Sequence, residues 1–173
     1  MKFYSGFSLK NDTHFFSEYI NSSDYSVSGF SYGAIRAFEH VVEAQKRGER
    51  IDTLQLFSPA FFQTKSEKFK KMQLRGFKRD KSSYLKMFID SCFSPYLKGE
   101  IEHSEALYEE LDKLLNYEWS LPSLQELENC GIKIEVYLGE SDSVVDVANA
   151  KDFFLEVSTL TYIKNANHFL QTK

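Results

Sequence analysis

The sequence predicts an α/β fold with a mostly parallel sheet of about five strands and one helical insertion. Three features of the chain indicate this fold. Its 173 residues are 42% apolar and 27% charged, as expected for a single globular domain. Strand-like and helix-like segments alternate in residues 1–60 and 129–173, which we interpret as the core. Residues 61–128 have helical periodicity and are interpreted as a lid above the sheet.

The N-terminal part of the core contains three predicted strands and two predicted helices. Short, largely apolar segments predict strands over residues 2–4, 24–28 and 52–57. Apolar residues that recur every three or four positions predict helices over residues 12–20 and 34–48. The apolar face of the second helix is formed by Ile35, Phe38, Val41 and Val42.

The C-terminal part of the core continues the same alternation. Residues 133–138 predict a strand that ends at Gly139, residues 147–157 predict a helix, and residues 160–163 predict a last strand. Strands joined through helices pair in parallel, so their carboxyl ends meet at one edge of the sheet. Residues that directly follow these strands are therefore the first candidates for a site.

The charge of the chain is distributed unevenly. The net charge is −4, yet residues 65–86 contain nine basic residues against two acidic ones, and residues 100–118 are strongly acidic. A basic surface on the lid could attract an acidic partner, although lysines on an amphipathic helix can also be simply solvated. The net negative charge and the lack of a recognition motif disfavour nucleic acid as the partner.

Several classes of protein do not fit this composition. No apolar run is long enough for a membrane helix, so we expect no membrane association. Residues 1–6 lack the apolar stretch of a secretion signal. The two cysteines, Cys92 and Cys130, suit neither a disulfide framework nor a zinc site, which favours a reducing cytoplasmic compartment.

The segment from Gly29 to Gly33, Gly-Phe-Ser-Tyr-Gly, lies between a predicted strand and a predicted helix. This is the G-x-S-x-G pattern of a nucleophile elbow, in which the chain turns sharply and the central serine adopts strained backbone angles. Side chains two positions before and after the serine would collide, which explains the two glycines. The pattern predicts Ser31 as a nucleophile, although a tight turn with a capping serine would also suit it.

A serine nucleophile needs a base, and His168 is the best placed of four histidines. It follows the last predicted strand, where a loop can reach the edge of the sheet that bears the elbow. The other three histidines, His14, His40 and His103, fall in predicted helical segments, where surface or core packing explains them better.

The acid that orients this base should follow an earlier strand. Asp142 lies in the turn after residues 133–138, which gives the chain order Ser, Asp, His. Asp146 is a rival that would more naturally cap the following helix, and Glu140 is a lesser rival. The candidate donors to the oxyanion are the backbone N–H of Tyr32, at the start of the helix after the elbow, and the N–H of Phe7, after the first strand. Taken by itself, Ser5-Gly6 is better explained as an ordinary turn.

In this order the motifs resemble those of the α/β-hydrolase superfamily across nearly the whole chain. They are Ser5-Gly6-Phe7, Gly29 to Gly33, Gly139-x-x-Asp142-x-x-Val145 and Asn167-His168-Phe169. The chain departs from the superfamily by its short length and by Ser5, where a histidine is usual. Only 25 residues separate Gly6 from Ser31, so one strand-helix unit is expected to be missing.

Within the superfamily the chain looks like the compact, Helicobacter-type pimeloyl-acyl-carrier-protein methyl ester esterases of biotin synthesis. This resemblance implies hydrolysis of the methyl ester to methanol and pimeloyl-carrier protein, without a metal or organic cofactor. Basic residues of the lid support this resemblance, because acyl carrier proteins are strongly acidic and a basic surface beside the site would attract them. These residues are Lys65, Lys68, Lys70, Lys71, Arg75, Lys78 and Arg79. A general carboxylesterase or thioesterase with the same triad and a catalytically inactive interaction domain are the alternatives.

Overall fold

A computed structural model describes residues 1–173 and contains a five-stranded sheet in which every pairing is parallel. Its strands, in sheet order, are β1 (Lys2–Tyr4), β3 (Ser26–Phe30), β4 (Thr53–Phe57), β6 (Lys133–Gly139) and β7 (Thr159–Ile163). Two short strands, β2 (Leu9–Lys10) and β5 (Glu102–His103), pair antiparallel beside it. The predicted α/β class with about five mostly parallel strands is therefore confirmed.

Six α-helices and a 3-10 helix (Asp12–Phe16) accompany the strands. The α-helices are α1 (Tyr32–Lys46), α2 (Glu67–Arg79), α3 (Lys81–Phe93), α4 (Tyr108–Asn116), α5 (Leu121–Asn129) and α6 (Val147–Phe154). Leu54 and Leu56 alternate along β4 and share one buried cluster with apolar residues of α1, α5 and α6. These three helices therefore cover the same face of the sheet.

The opposite face is covered mainly by aromatic rings rather than by crossover helices. Phe16 of the 3-10 helix stacks on Phe57 of β4 with ring centroids 4.7 Å apart. Phe93 of α3 stacks on Phe169 at 4.4 Å. Burying large rings compensates for the small number of elements on this side. The high phenylalanine content of the sequence thus has a structural use.

The connection from β1 to β3 contains only β2 and the 3-10 helix, so no α-helix lies between these neighbouring strands. This agrees with the strand-helix unit that the spacing of Gly6 and Ser31 predicts to be missing. The helix predicted over residues 12–20 is only a 3-10 helix of five residues, which ends at Phe16.

The segment 61–128 is not entirely helical, contrary to the prediction. Pro95 and Gly99 interrupt the helical pattern after α3, and the chain then forms β5 against β2. His103 therefore lies on a strand and not in a helix. Within the same segment, α2 packs on α3 and α4, whereas α5 packs against β6 of the sheet. None of the helices is both long and apolar enough to cross a bilayer.

The two cysteines should differ sharply in reactivity. Cys92 is 1% exposed, and burial raises the pKa of its thiol well above the usual value, whereas Cys130 is exposed. Because only the thiolate reacts, we expect a thiol reagent to modify Cys130 and to reach Cys92 only after unfolding. Counting modified thiols in the native and the denatured protein tests this, and rapid native modification of Cys92 would contradict the packing.

Candidate active site

Ser31 joins the end of β3 to the start of α1 in a strained backbone conformation. Its φ of 53° and ψ of −113° lie in a region that residues other than glycine rarely adopt. The turn is held by its own backbone groups: the Ser31 N–H donates to the Phe57 carbonyl at 2.9 Å. The Ser31 carbonyl accepts from the N–H groups of Ala34 and Ala60, both at 3.1 Å.

The two glycines of the elbow leave no room for side chains. A Cβ at Gly29 would lie 2.1 Å from the Gly33 carbonyl oxygen. A Cβ at Gly33 would lie 2.0 Å from the carbonyl oxygen of Tyr4, at the end of β1. These approaches explain the G-x-S-x-G spacing, and the second one also holds the residues after β1 against the first turn of α1.

The structure brings together the three side chains that the sequence selects as a triad. His168 Nε2 lies 3.0 Å from Ser31 Oγ, and His168 Nδ1 lies 2.6 Å from Asp142 Oδ2. With the imidazole proton on Nδ1, the ring donates to the carboxylate and its Nε2 accepts the serine proton. Ser31 is 5% exposed and His168 is fully buried, so water has little access to the row.

Asp142 is held in place by backbone donors as well as by the imidazole. Its Oδ1 accepts from the N–H groups of Val144 at 2.8 Å and Val145 at 3.3 Å. The rival acids lie elsewhere: Asp146 caps α6 and accepts from Thr64 Oγ1 at 2.9 Å, and Glu140 accepts from the Asn165 N–H at 2.9 Å. Neither rival contacts the His168 ring.

The loop that bears His168 is fixed by two residues, Asn167 and Gly139, to which the sequence motifs assign no role. Asn167 is fully buried, and its Nδ2 donates to the Phe93 carbonyl and to Gln171 Oε1, both at 2.9 Å. Gly139, at the end of β6, lies so close that a Cβ there would be 2.4 Å from the carbonyl oxygens of Ala166 and Asn167. Both residues belong to motifs quoted from the sequence, but only the fold shows which backbone groups they meet.

The two predicted oxyanion donors lie on adjacent segments. The Tyr32 N–H is the first of α1 and has no acceptor within the helix. The Phe7 N–H donates to no backbone carbonyl, and the Phe7 ring is 1% exposed beneath Phe88 of α3. Neither amide therefore has a protein acceptor, and both remain the candidate donors to an oxyanion.

The remaining histidines lie apart from this row. His14 Nδ1 contacts the Asn11 carbonyl oxygen at 2.9 Å. His40 lies 3.5 Å from Lys2 Nζ, and burial lowers its pKa. No group of three or more His, Cys, Asp or Glu side chains is arranged to bind a metal.

A mainly apolar groove of about 630 Å³ runs between α2, α3 and α4. Met72 and Met87 at its edge are 59% and 70% exposed, which is unusual for such large apolar side chains. Burial raises the pKa of Tyr84, on the groove wall, to about 12, so its phenol is neutral at physiological pH.

The inner end of this groove lies beside the triad. Val144 and Phe88 line the groove, and they adjoin Asp142 and Phe7 respectively. Ser31 and His168 do not line it.

The basic residues predicted for the lid do not all face solvent. Lys70 is 7% exposed, because it lies seven residues before Phe77 on the inward side of α2, and it lies 3.5 Å from Glu67. It is therefore not a free surface cation, which corrects the expectation for this residue. Lys65 is half-buried, 3.9 Å from Asp146. The exposed members are Lys68, Lys71, Arg75, Lys78 and Arg79.

Solved structures of three α/β-hydrolases share this fold. A bromoperoxidase from Bacillus anthracis superposes with a TM-score of 0.61 at 14% identity, over 83% of this chain and 60% of that one. A naproxen esterase from Bacillus subtilis gives 0.55 at 17% identity, over 85% and 54%. An esterase from Exiguobacterium antarcticum gives 0.51 at 16% identity, over 82% and 58%.

The likeness to these structures is one of fold. The chain spans 54% to 60% of their lengths, and identities of 14% to 17% do not assign a reaction. No protein-family model matches the sequence, and a search of curated proteins finds no significant match. The chain thus has a compact α/β-hydrolase fold, and its chemistry has to be inferred from the site itself.

We expect Gly33→Ala to lower the free energy of unfolding by about 3 kcal/mol or more, because its Cβ meets a backbone oxygen that cannot move aside. Gly48→Ala is the matched control: its φ is +71°, but nothing lies within 4 Å of the added Cβ. In this control the free energy of unfolding should fall by only about 1–2 kcal/mol, because alanine is disfavoured in the left-handed backbone conformation. Urea titrations of both variants measure the difference, and equal losses would contradict the close approach to Tyr4.

Proposed function

We propose that this chain is a serine hydrolase that cleaves carboxylic esters. The observation on which this rests is the hydrogen-bonded row of Ser31, His168 and Asp142 at a strained strand-helix turn. At an ordinary surface turn, the strained backbone of Ser31 would cost stability without any benefit. At a nucleophile, the same backbone conformation directs the hydroxyl toward the substrate. The esterase names of two structural neighbours agree with this chemistry.

In the first half of the reaction, Ser31 Oγ attacks the ester carbonyl while His168 Nε2 accepts its proton. The carbonyl oxygen becomes an oxyanion, which the N–H groups of Tyr32 and Phe7 stabilise. One such donor typically lowers the barrier by about 3 kcal/mol. Asp142 stabilises the imidazolium that forms and keeps its Nε2 directed at the serine.

In the second half, the imidazolium gives its proton to the departing alcohol, and the acyl group remains bonded to Ser31 Oγ. A water molecule then attacks the acyl carbonyl, and His168 accepts its proton. Collapse of the second oxyanion returns the proton to Ser31 Oγ and releases the acid. Each half therefore uses the same base and the same two donors.

For the substrate, we propose the methyl ester of a pimeloyl chain bound to acyl carrier protein, cleaved to methanol and pimeloyl-carrier protein. The groove between α2, α3 and α4 offers an apolar surface for an acyl chain. Arg79 lines this groove, and four further exposed cations lie on the same helix, which suits a strongly acidic carrier. The alternative is a carboxylesterase or acyl thioesterase that uses the same triad but has no need of these cations.

The nucleophile can be tested by Ser31→Ala. Because no other hydroxyl lies against His168 Nε2, we expect hydrolysis of a short p-nitrophenyl ester to fall by at least about a thousandfold. Covalent labelling by a fluorophosphonate should disappear as well. The exposed Ser22 provides the control variant, Ser22→Ala, which should hydrolyse and label like the wild type. Turnover retained by Ser31→Ala would disprove the mechanism.

The substrate proposal can be tested by reversing exposed charges on α2. For Lys71→Glu combined with Arg75→Glu, we expect kcat/KM on the carrier-bound methyl ester to fall about tenfold at low salt, because the acidic carrier loses its attraction. Hydrolysis of a small soluble ester should be unchanged.

The matched control combines Lys98→Glu with Lys173→Glu, which change the net charge equally at exposed positions outside α2. It should leave both substrates unaffected. An equal loss on both substrates by the α2 variant would argue against carrier binding. Faster wild-type turnover of a carrier thioester than of the carrier methyl ester would favour the thioesterase alternative.

A further inference from the structure

We infer that Asp12 is a positioning residue that holds the loop bearing the Phe7 oxyanion donor. This inference rests on the proposed function. Asp12 begins the 3-10 helix but does not cap it; its side chain turns back toward residues 5–9, which we call the oxyanion loop. Its Oδ2 accepts the Gly6 N–H at 2.9 Å.

The burial of Asp12 is what makes this contact informative. The residue is 1% exposed, and its Oδ1 is buried without any hydrogen-bond partner. A carboxylate that loses its water and gains a single backbone donor is unfavourable for folding by itself. An apolar side chain at this position would avoid that penalty, so the benefit of the carboxylate is expected in the loop that it binds.

Two contacts fix the two peptide planes on either side of Gly6. The Ser5–Gly6 peptide is held through its N–H by Asp12. The Gly6–Phe7 peptide is held through its carbonyl, which accepts from the Leu9 N–H at 3.1 Å. In a planar trans peptide the N–H points opposite to the C=O, so the Phe7 N–H is directed away from Leu9 and stays unpaired.

The remainder of the oxyanion loop is held by its neighbours. The Ser104 N–H donates to the Ser8 carbonyl at 2.9 Å, and Ser104 Oγ donates to the Leu9 carbonyl at 3.1 Å. Gly6 lies so near the elbow that a Cβ there would be 2.8 Å from the Phe30 ring. The loop therefore lies against the strand that ends at the nucleophile, and Asp12 orients the peptide next to the donor. Such preorganisation keeps the donor ready before charge develops.

Two substitutions separate positioning from simple packing. Asp12→Asn keeps an oxygen that can accept the Gly6 N–H. Its amide nitrogen takes the place of Oδ1, which makes no hydrogen bond, so no existing contact is broken. Asp12→Ala removes the acceptor. We expect Asp12→Ala to lower kcat on a p-nitrophenyl ester about ten- to a hundredfold with little change in KM, because the donor matters mainly in the transition state. Asp12→Asn should remain within about threefold of the wild type.

The control is Ile134→Val, a buried core variant at the far end of β6 from the triad. It should lower thermal stability but leave kcat unchanged, so instability alone cannot account for the Asp12→Ala loss. An unchanged kcat in Asp12→Ala, or an equal loss in Asp12→Asn, would overturn the inference.

Amide hydrogen exchange of the wild type tests the same contact without turnover or any variant. The Gly6 amide should exchange slowly and the Phe7 amide much faster, since only the first has a protein acceptor. Fast exchange at Gly6 would overturn the role of Asp12 even if the protein hydrolyses esters. A wild type that neither hydrolyses esters nor reacts with a fluorophosphonate would refute the proposed function. The exchange data would still show whether Asp12 binds the Gly6 N–H.

Discussion

Two close approaches of backbone to backbone, between Gly29 and Gly33 and between Gly33 and Tyr4, determine the geometry of the whole site. They set β3, α1 and the end of β1 at distances that no Cβ would allow. The nucleophile, the first N–H groups of α1 and the oxyanion loop are thereby placed next to one another. Holding Ser31 at a positive φ costs about 1–3 kcal/mol, which the surrounding buried core and the three backbone hydrogen bonds of Ser31 offset.

Burial of the triad is possible because each polar atom in it has partners. Asp142 accepts two backbone N–H groups and the imidazole, so its carboxylate is solvated by the protein in place of water. His168 is in turn held between Asp142 and Ser31, and its loop is fixed by Asn167. Removal of one of these three side chains would leave buried polar atoms of the others without a partner. The resulting loss of folding free energy exceeds what the intact hydrogen bonds contribute.

Local patterns in the sequence were sufficient for the sheet, for α1 and for the elbow, because alternation, helical spacing and paired glycines act over few residues. They could not identify Lys70 as buried, since that depends on which side of α2 faces α3 and α4. They also could not predict β5, which exists only through its pairing with β2, whose residues lie 92 and 94 positions away from their partners along the chain. Asn167 is of the same kind, because its side chain binds the Phe93 carbonyl, 74 residues away along the chain. Asp12 binds a backbone N–H only six residues away, but its burial, which makes that contact informative, depends on the fold.

The small size of the sheet gives α3 a part in holding the catalytic base. On the face that lacks crossover helices, α3 supplies Ile89, Cys92 and Phe93 to the cluster beneath the His168 loop, and the Phe93 carbonyl binds Asn167. Moving α3 would therefore disturb the base itself. In contrast, α2 buries only Lys70 and Phe77, whereas the shorter α4 buries three leucines. Because a helix with few buried side chains is displaced at lower cost, we expect α2 to move more readily than α3 or α4, and its movement would leave the contact of α3 with the His168 loop in place.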